Sequence, residues 1–325
     1  MEDVQQPSLS SFKCALIQLH PKPLDLEHNF FQASNYIRKA ASQGAKLAAL
    51  PEYNLTSWVP DSPQFVALAE IAHNYIYKYQ ELAKELSINI VPGTIVTTCP
   101  SLLPAIDAKG AQSSKPCRVL NVSYFISSSG EILGNYMKAN LWIPERTVLT
   151  SGPSSVQRNS TEPQTKPEDH HSVIQTPLGP VGLLICWDLA FPEAFRSLIR
   201  QGARLIILPT FWTTDELSSE AKHYAGPNLD RKFIQAAVTT RSFENTCAIV
   251  LCNVGGPMEE GYTGLSQVVL PLVGTAPGSF TDHEPGMRII DVNMRTVDVA
   301  EENYRIRADL RSQDWHYGYS LENRN

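Results

Sequence analysis

Four short, almost purely apolar runs constrain this chain more than any other feature: KCALIQL at 13–19, KLAAL at 46–50, VGLLIC at 181–186 and RLIIL at 204–208. Segments this short fit strands better than helices, and they lack the polar alternation of a half-exposed strand. They read as strands covered on both faces. Amphipathic segments lie between them. Residues 26–43 place Leu26, Phe30, Ala33, Ile37 and Ala40 at helical spacing, and Gly44 closes the helix. Ser62-Pro63 pairs a capping residue with proline at the first helical position, so a helix is expected from there to about residue 86. Further helices are expected at 192–200 and 229–243. Further strands are expected at 88–96, 118–126, 131–137 (after the turn Ser128-Ser129-Gly130), 246–252, 267–270, 287–292 and 296–299. Strands alternating with helices give an α/β fold whose sheets are covered by helices. A loop rich in Pro, Ser and Ala before residue 118 and a polar stretch at 153–171 read as surface excursions from one domain.

Composition removes several classes of function. The chain has 325 residues, 42% of them hydrophobic and 18% charged, enough to bury a large core. A net charge of −6 with no basic run argues against a nucleic-acid partner. No apolar stretch is long enough to span a bilayer, so no membrane role is expected. Residues 1–12 lack the basic start and apolar core of a signal peptide, and the final LENRN carries no lipidation or peroxisomal signal, so the expected location is cytoplasmic. Six cysteines in a chain of this length then read as thiols and not as a disulfide framework. Asn-x-Ser/Thr matches at Asn54, Asn121 and Asn159 read as chance. The organisation expected is a flexible leader at 1–12, one domain over 13–310, and a tail at 311–325 whose Trp315, Tyr317 and Tyr319 would dock on a partner subunit.

Three residues at strand ends carry the chemistry. Cys186 closes VGLLIC, where a nucleophile is held on a rigid element at the crevice used by α/β sheets, and where the next backbone N–H can serve an oxyanion. A buried structural thiol is the competing reading, and the commoner fate of such cysteines. Glu52 follows KLAAL and Pro51. A carboxylate there is costly to bury unless paired or used, and beside a thiol it can act as base. Lys138 follows EILGNYM, and near a thiolate its ammonium would lower the thiol pKa and hold developing negative charge. Taken singly, the glutamate also reads as an ordinary loop residue and the lysine as a solvated edge residue.

Together, the segments Leu50-Pro51-Glu52, Tyr136-Met137-Lys138-Ala139-Asn140-Leu141-Trp142 and Cys186-Trp187-Asp188-Leu189-Ala190-Phe191-Pro192-Glu193 resemble the nitrilase superfamily of carbon–nitrogen hydrolases. Gly202-Ala203, Trp212, the run from Arg241 to Asn245, Asn253 and Gly264-Leu265-Ser266 extend the resemblance over nearly the whole chain. It implies a four-layer α-β-β-α sandwich, assembled as a homodimer or larger homo-oligomer, and catalysis without metal or organic cofactor. It implies Glu52, Lys138 and Cys186 as the catalytic triad, Glu145 as a second glutamate orienting the lysine and substrate, and Tyr53, Trp187, Phe191 and Trp212 as pocket residues. Met137 before the lysine and Asn140 two residues after it depart from the family's usual basic residue and histidine. Asp188 followed by Phe191-Pro192-Glu193 is closer to the amidase and N-carbamoyl hydrolase branches than to classical nitrilases.

The expected function is hydrolysis of a small carboxamide to acid and ammonia through a thioester. Nitrile or N-carbamoyl hydrolysis by the same triad is the alternative, and a silent scaffold or an acyltransferase ranks below both. Arg146, in the loop after Trp142, is a candidate partner for an anionic substrate or for a local acid.

Overall fold

In the first strand, β1 (Ser11–Gln18), Phe12, Cys14 and Leu16 face one apolar cluster while Ala15 and Ile17 face another. That alternation makes β1 an inner strand buried on both sides, as its apolar run requires. The computed structural model describes residues 10–98, 119–152, 171–214, 218–226, 228–312 and 315–316. Residues 1–9 of the expected leader, the Pro/Ser/Ala-rich loop at 99–118, the polar stretch at 153–170 and the tail residues Tyr317 and Tyr319 lie outside them.

The first sheet gathers β1, β2 (Leu47–Ala49), β3 (Asn89–Val91), β4 (Thr94–Thr98), β5 (Val119–Ile126), β6 (Ile132–Met137) and β13 (Gly286–Asn293). Its order is β13-β1-β2-β3-β5-β4, with β6 also paired to β5. The strands β1, β2 and β3 run parallel at its centre. The second sheet has β7 (Ile174–Thr176), β8 (Gly179–Leu183), β9 (Leu205–Pro209), β10 (Ala248–Cys252), β11 (Gln267–Leu270) and β12 (Gly274–Thr275), ordered β12-β11-β10-β9-β8-β7. Here β8, β9 and β10 are the parallel centre.

Helices α1 (Leu26–Ser42) and α3 (Asn74–Leu86) cover the first sheet, with Ile37, Ala40, Leu82 and Ala83 against Ala15, Ile17, Ala48 and Ile90. On the second sheet lie α4 (Pro192–Arg200) and α6 (Leu229–Asn245). The approach of α4 is close at Gly182, where a Cβ would come within 2.6 Å of the Leu198 side chain. The remaining core, including Leu16, Leu47, Val91, Leu183, Leu205 and Ile207, joins the sheets. Each fully buried leucine or isoleucine in it contributes about 1.5–3 kcal/mol. This is the expected α-β-β-α sandwich. Among the described residues, no helix is long and apolar enough to cross a membrane.

Four expectations need correction. The helix from Ser62 is two helices, α2 (Pro63–Ala72) and α3, divided at His73. The buried positions run on without a phase break from Phe65, Ala69 and Ala72 to Tyr75 and Tyr79, so periodicity could not expose the division. The run at 88–96 is two strands, because Pro92 supplies no N–H and Gly93 turns the chain at φ +65°. Residues 296–299 lie in α7 (Arg295–Tyr304) and not in a strand. Val297 and Ala300, three residues apart, enter the core there, and tertiary packing overrides the β-branched composition. Finally, β8 leaves the ladder at Leu183, and Cys186 opens a 3-10 turn, Cys186–Ala190. Two short helices went unread, α5 (Ser219–Tyr224) and α8 (Ile306–Arg311). Trp315, from the expected tail, is half-buried against the chain's own core.

Candidate active site

Two parallel strands, one from each sheet, end in Leu-Pro: β2 runs into Leu50-Pro51-Glu52 and β9 into Leu208-Pro209-Thr210. The N–H of Glu52 donates to the Thr210 carbonyl at 3.2 Å, which ties the two ends together. Pro51 is itself backed by Gly93, where a Cβ would lie 1.8 Å from the Pro51 carbonyl oxygen. Only glycine fits that turn, and the turn fixes where Glu52 points.

Glu52, Lys138, Glu145 and Cys186 meet in one buried cluster. The Lys138 ammonium donates to Glu52 Oε1 at 2.8 Å and to Glu145 Oε1 at 2.6 Å. Glu52 Oε1 also accepts from Asn121 at 2.7 Å, and Oε2 from the Phe211 N–H at 3.0 Å. The Cys186 thiol lies close enough to Glu52 for each to act electrostatically on the other. Glu145 Oε1 accepts from the Tyr53 hydroxyl at 2.5 Å, and Oε2 from the Trp142 N–H at 2.7 Å. All are withdrawn from water, with Lys138 and Glu52 each 1% exposed. Burial of such charges costs several kcal/mol per ion unless each is bonded, which explains why every carboxylate oxygen here is occupied.

Burial raises the Glu52 carboxyl, Glu145 reinforces the rise, and Lys138 opposes it without cancelling it. Burial pulls the Lys138 ammonium down, but Glu52, Cys186 and Glu145 outweigh it and the net direction is up. Lys138 lowers the thiol as the sequence reading expects, but larger influences set the net direction. Burial and Glu52 push Cys186 well above the ordinary thiol range, against the opposing pull of Lys138. The resting sulfur is therefore a thiol beside a carboxylate acceptor, and a thiolate forms only when its proton moves.

Cys186 is held at φ +45° and Tyr53 at φ +51°, both in the left-handed region that L-residues rarely occupy. Such conformations persist where surrounding structure enforces them. For Cys186 the enforcement comes from Asp188, fully buried two residues onward in the same turn. Its Oδ2 accepts from the Ile185 N–H at 2.8 Å and the Tyr136 hydroxyl at 2.9 Å, and its Oδ1 from Asn140 Nδ2 at 2.8 Å and Asn140 N–H at 3.3 Å. One carboxylate thus locks the cysteine turn to the segment bearing Lys138.

Above the cluster opens a cavity of about 220 Å³, reaching Glu52, Lys138, Glu145 and Cys186 at its base. Tyr53, Trp187 and Trp212 are among the residues that line it. Phe191 does not; its ring stands edge-on to Trp187 at 6.3 Å and packs on the core. Arg146 is also outside the lining, and its Nε donates to the Leu141 carbonyl at 3.3 Å. Among the described residues, no cluster of His, Cys, Asp and Glu is arranged to hold a metal ion.

The family model described as carbon-nitrogen hydrolase matches residues 13–301. The chain belongs to the carbon–nitrogen hydrolase family. Within that family it is 30% identical to human omega-amidase NIT2 over 62% of this chain and 64% of that enzyme's length. To deaminated glutathione amidase of Synechocystis it is 24% identical over 88% and 93%. Among solved structures it is similar to an amidase from Nesterenkonia sp. AN1 (TM-score 0.66, 23% identity, 88% and 92% coverage), a mutant of which carries the acetamide moiety of fluoroacetamide at its active-site cysteine. The family fold is shown again by the C. elegans NitFhit protein (TM-score 0.70, 22% identity, 93% and 65% coverage).

Sequence reasoning gave no site role to Asn121, Asp188, the Phe211 N–H or Asn253. Asn121 interrupts the apolar run of β5, which was its only local signal. Asn253 is wholly buried, accepting from the Trp212 N–H at 2.8 Å and donating to Thr263 and Gly264. Asp188→Asn offers a test of positioning in this hydrolase-family site. Its amide would oppose one pair of donors, and the displaced turn would lower kcat by about 100-fold. KM should move much less, and stability should fall by about 1–3 kcal/mol. Unchanged kcat with a lowered melting temperature would leave Asp188 a purely structural role.

Proposed function

We propose that the protein is a cysteine-dependent amidase that converts a small carboxamide and water into a carboxylic acid and ammonia. The observation that carries this reading is the buried cluster of Cys186, Glu52 and Lys138 at the base of an aromatic cavity. Glu52 accepts the thiol proton as Cys186 Sγ attacks the amide carbonyl carbon. The carbonyl oxygen becomes an oxyanion held by the Lys138 ammonium and the Trp187 N–H. Two N–H groups of Lys138 are committed to Glu52 and Glu145, and the third serves this oxygen. Glu52 returns its proton to the departing nitrogen, ammonia leaves, and a thioester remains on Cys186. Water then attacks the thioester carbon, giving its proton to Glu52. Collapse breaks the C–S bond and restores the thiol. Glu145 keeps the ammonium in place throughout, fixed by Tyr53 and the Trp142 N–H.

Ammonia release from a panel of short carboxamides, followed across pH, tests this reading. Glu52 must be ionised to take the proton, and its carboxyl is raised. The acid limb of kcat/KM is therefore expected above the ordinary glutamate value of 4.5. Lys138, raised above its ordinary 10.5, contributes no alkaline loss below that pH. An acid limb at or below 4.5 removes Glu52 as the base. Acid formation from nitriles, or ammonia and carbon dioxide from N-carbamoyl compounds, with no amide turnover would move the assignment to those substrates.

A further inference from the structure

The charges around the cavity are unevenly matched. Its described lining holds three carboxylates, Glu52, Glu145 and Asp230, against a single ammonium, Lys138. That ammonium is committed between the two glutamates at 2.8 and 2.6 Å. A substrate with an anionic far end therefore finds no cation among the described lining residues. The nearby cations lie elsewhere: Lys222 and Arg231 line a neighbouring cleft, and Arg231 donates to the Thr263 and Thr281 carbonyls at 2.6 and 2.9 Å.

The outer part of the cavity has the chemistry of a cation receptor. A continuous aromatic wall leads outward from beside the cysteine, with ring centroids 4.3 Å apart for Trp142–Trp187, 5.6 Å for Trp187–Trp212 and 5.5 Å for Trp212–Phe233. Asp230 sits three residues before Phe233 in the first turn of α6. Its Oδ1 accepts from Trp212 Nε1 at 3.0 Å, which holds the carboxylate beside the indole. Ring faces and a carboxylate together bind an ammonium, whereas the same carboxylate repels an anion.

We infer that the site selects amides whose far end carries a primary ammonium, with Asp230, Trp212 and Phe233 forming the subsite that receives it. The inference rests on the amidase reading for its reaction and on the outer cavity for its specificity. Three amides with five methylenes but different ends separate the possibilities: 6-aminohexanamide, heptanamide and pimelic acid monoamide. Binding is read by tryptophan fluorescence in Cys186→Ala, and kcat/KM is read in the wild-type protein.

The expected result is that 6-aminohexanamide exceeds heptanamide by about tenfold in both readouts and that the monoamide is weakest. In Asp230→Asn, whose amide oxygen still accepts from the indole, the ammonium-to-neutral ratio should fall to near one. In Asp230→Glu it should survive. Equal binding of the three amides, preference for the monoamide, or an unchanged ratio in Asp230→Asn overturns the inference. The expected binding order without turnover in the wild type would sustain the subsite and defeat the amidase reading. Turnover with a flat order would do the reverse.

Discussion

Cys186→Ala is expected to lower kcat/KM for amide hydrolysis by roughly 10⁴- to 10⁶-fold, because removing a nucleophile eliminates the covalent route outright. The protein should remain folded. Alanine adds no strain that cysteine does not already carry at φ +45°, and the residues that enforce this turn, above all Asp188, are untouched. Deleting a buried thiol also removes no charge, since the sulfur is held protonated at rest by burial and by Glu52. Turnover and a thermal melt on one preparation check both statements. Lost turnover with a nearly unchanged melting temperature is the expected pair. Residual activity above about one part in a thousand would show that Cys186 is not the nucleophile.

The fold was legible where both faces of a strand are buried. After their leading Lys46 and Arg204, KLAAL and RLIIL have no polar position to mislead, and β2 and β9 fall on them. Places where a local pattern meets a non-local constraint were not legible. Thr296 to Val299 looks like a strand until Val297 is seen to need the core. The division at His73 leaves no mark because the apolar phase crosses it unbroken. The Pro92-Gly93 break was present in the letters, and its necessity shows only in the contact between Gly93 and Pro51.

The site divides in the same way. Glu52, Lys138 and Cys186 stand out because a polar or reactive group directly follows an apolar strand or its extension. Asn121 and Asp230 do not, because their partners lie 69 and 18 residues away. The direction of the thiol pKa also depends on burial, which a charge count along the chain does not contain.

Lys138→Met tests the electrostatics that hold the cluster together. Methionine keeps the volume but leaves Glu52 and Glu145 buried without the ammonium that both accept from. Removing one partner of a buried ion pair costs about 3–5 kcal/mol. In a chain of this size that is a fall of roughly 4–7 °C in melting temperature. Activity should fall by at least about 1,000-fold, since the same nitrogen serves the oxyanion.

The stability loss carries a pH signature. Lys138 is the main influence opposing the rise of the Glu52 carboxyl, so without it that group rises further. The folded variant then holds a proton at pH values where the unfolded chain has released it. Its stability is fully present below the unfolded glutamate value and is lost as pH rises through the raised folded value. Melting curves of wild type and Lys138→Met should therefore converge in acid and separate toward neutral pH. A constant difference across that range would mean that the loss arises from packing and not from two carboxylates left facing each other.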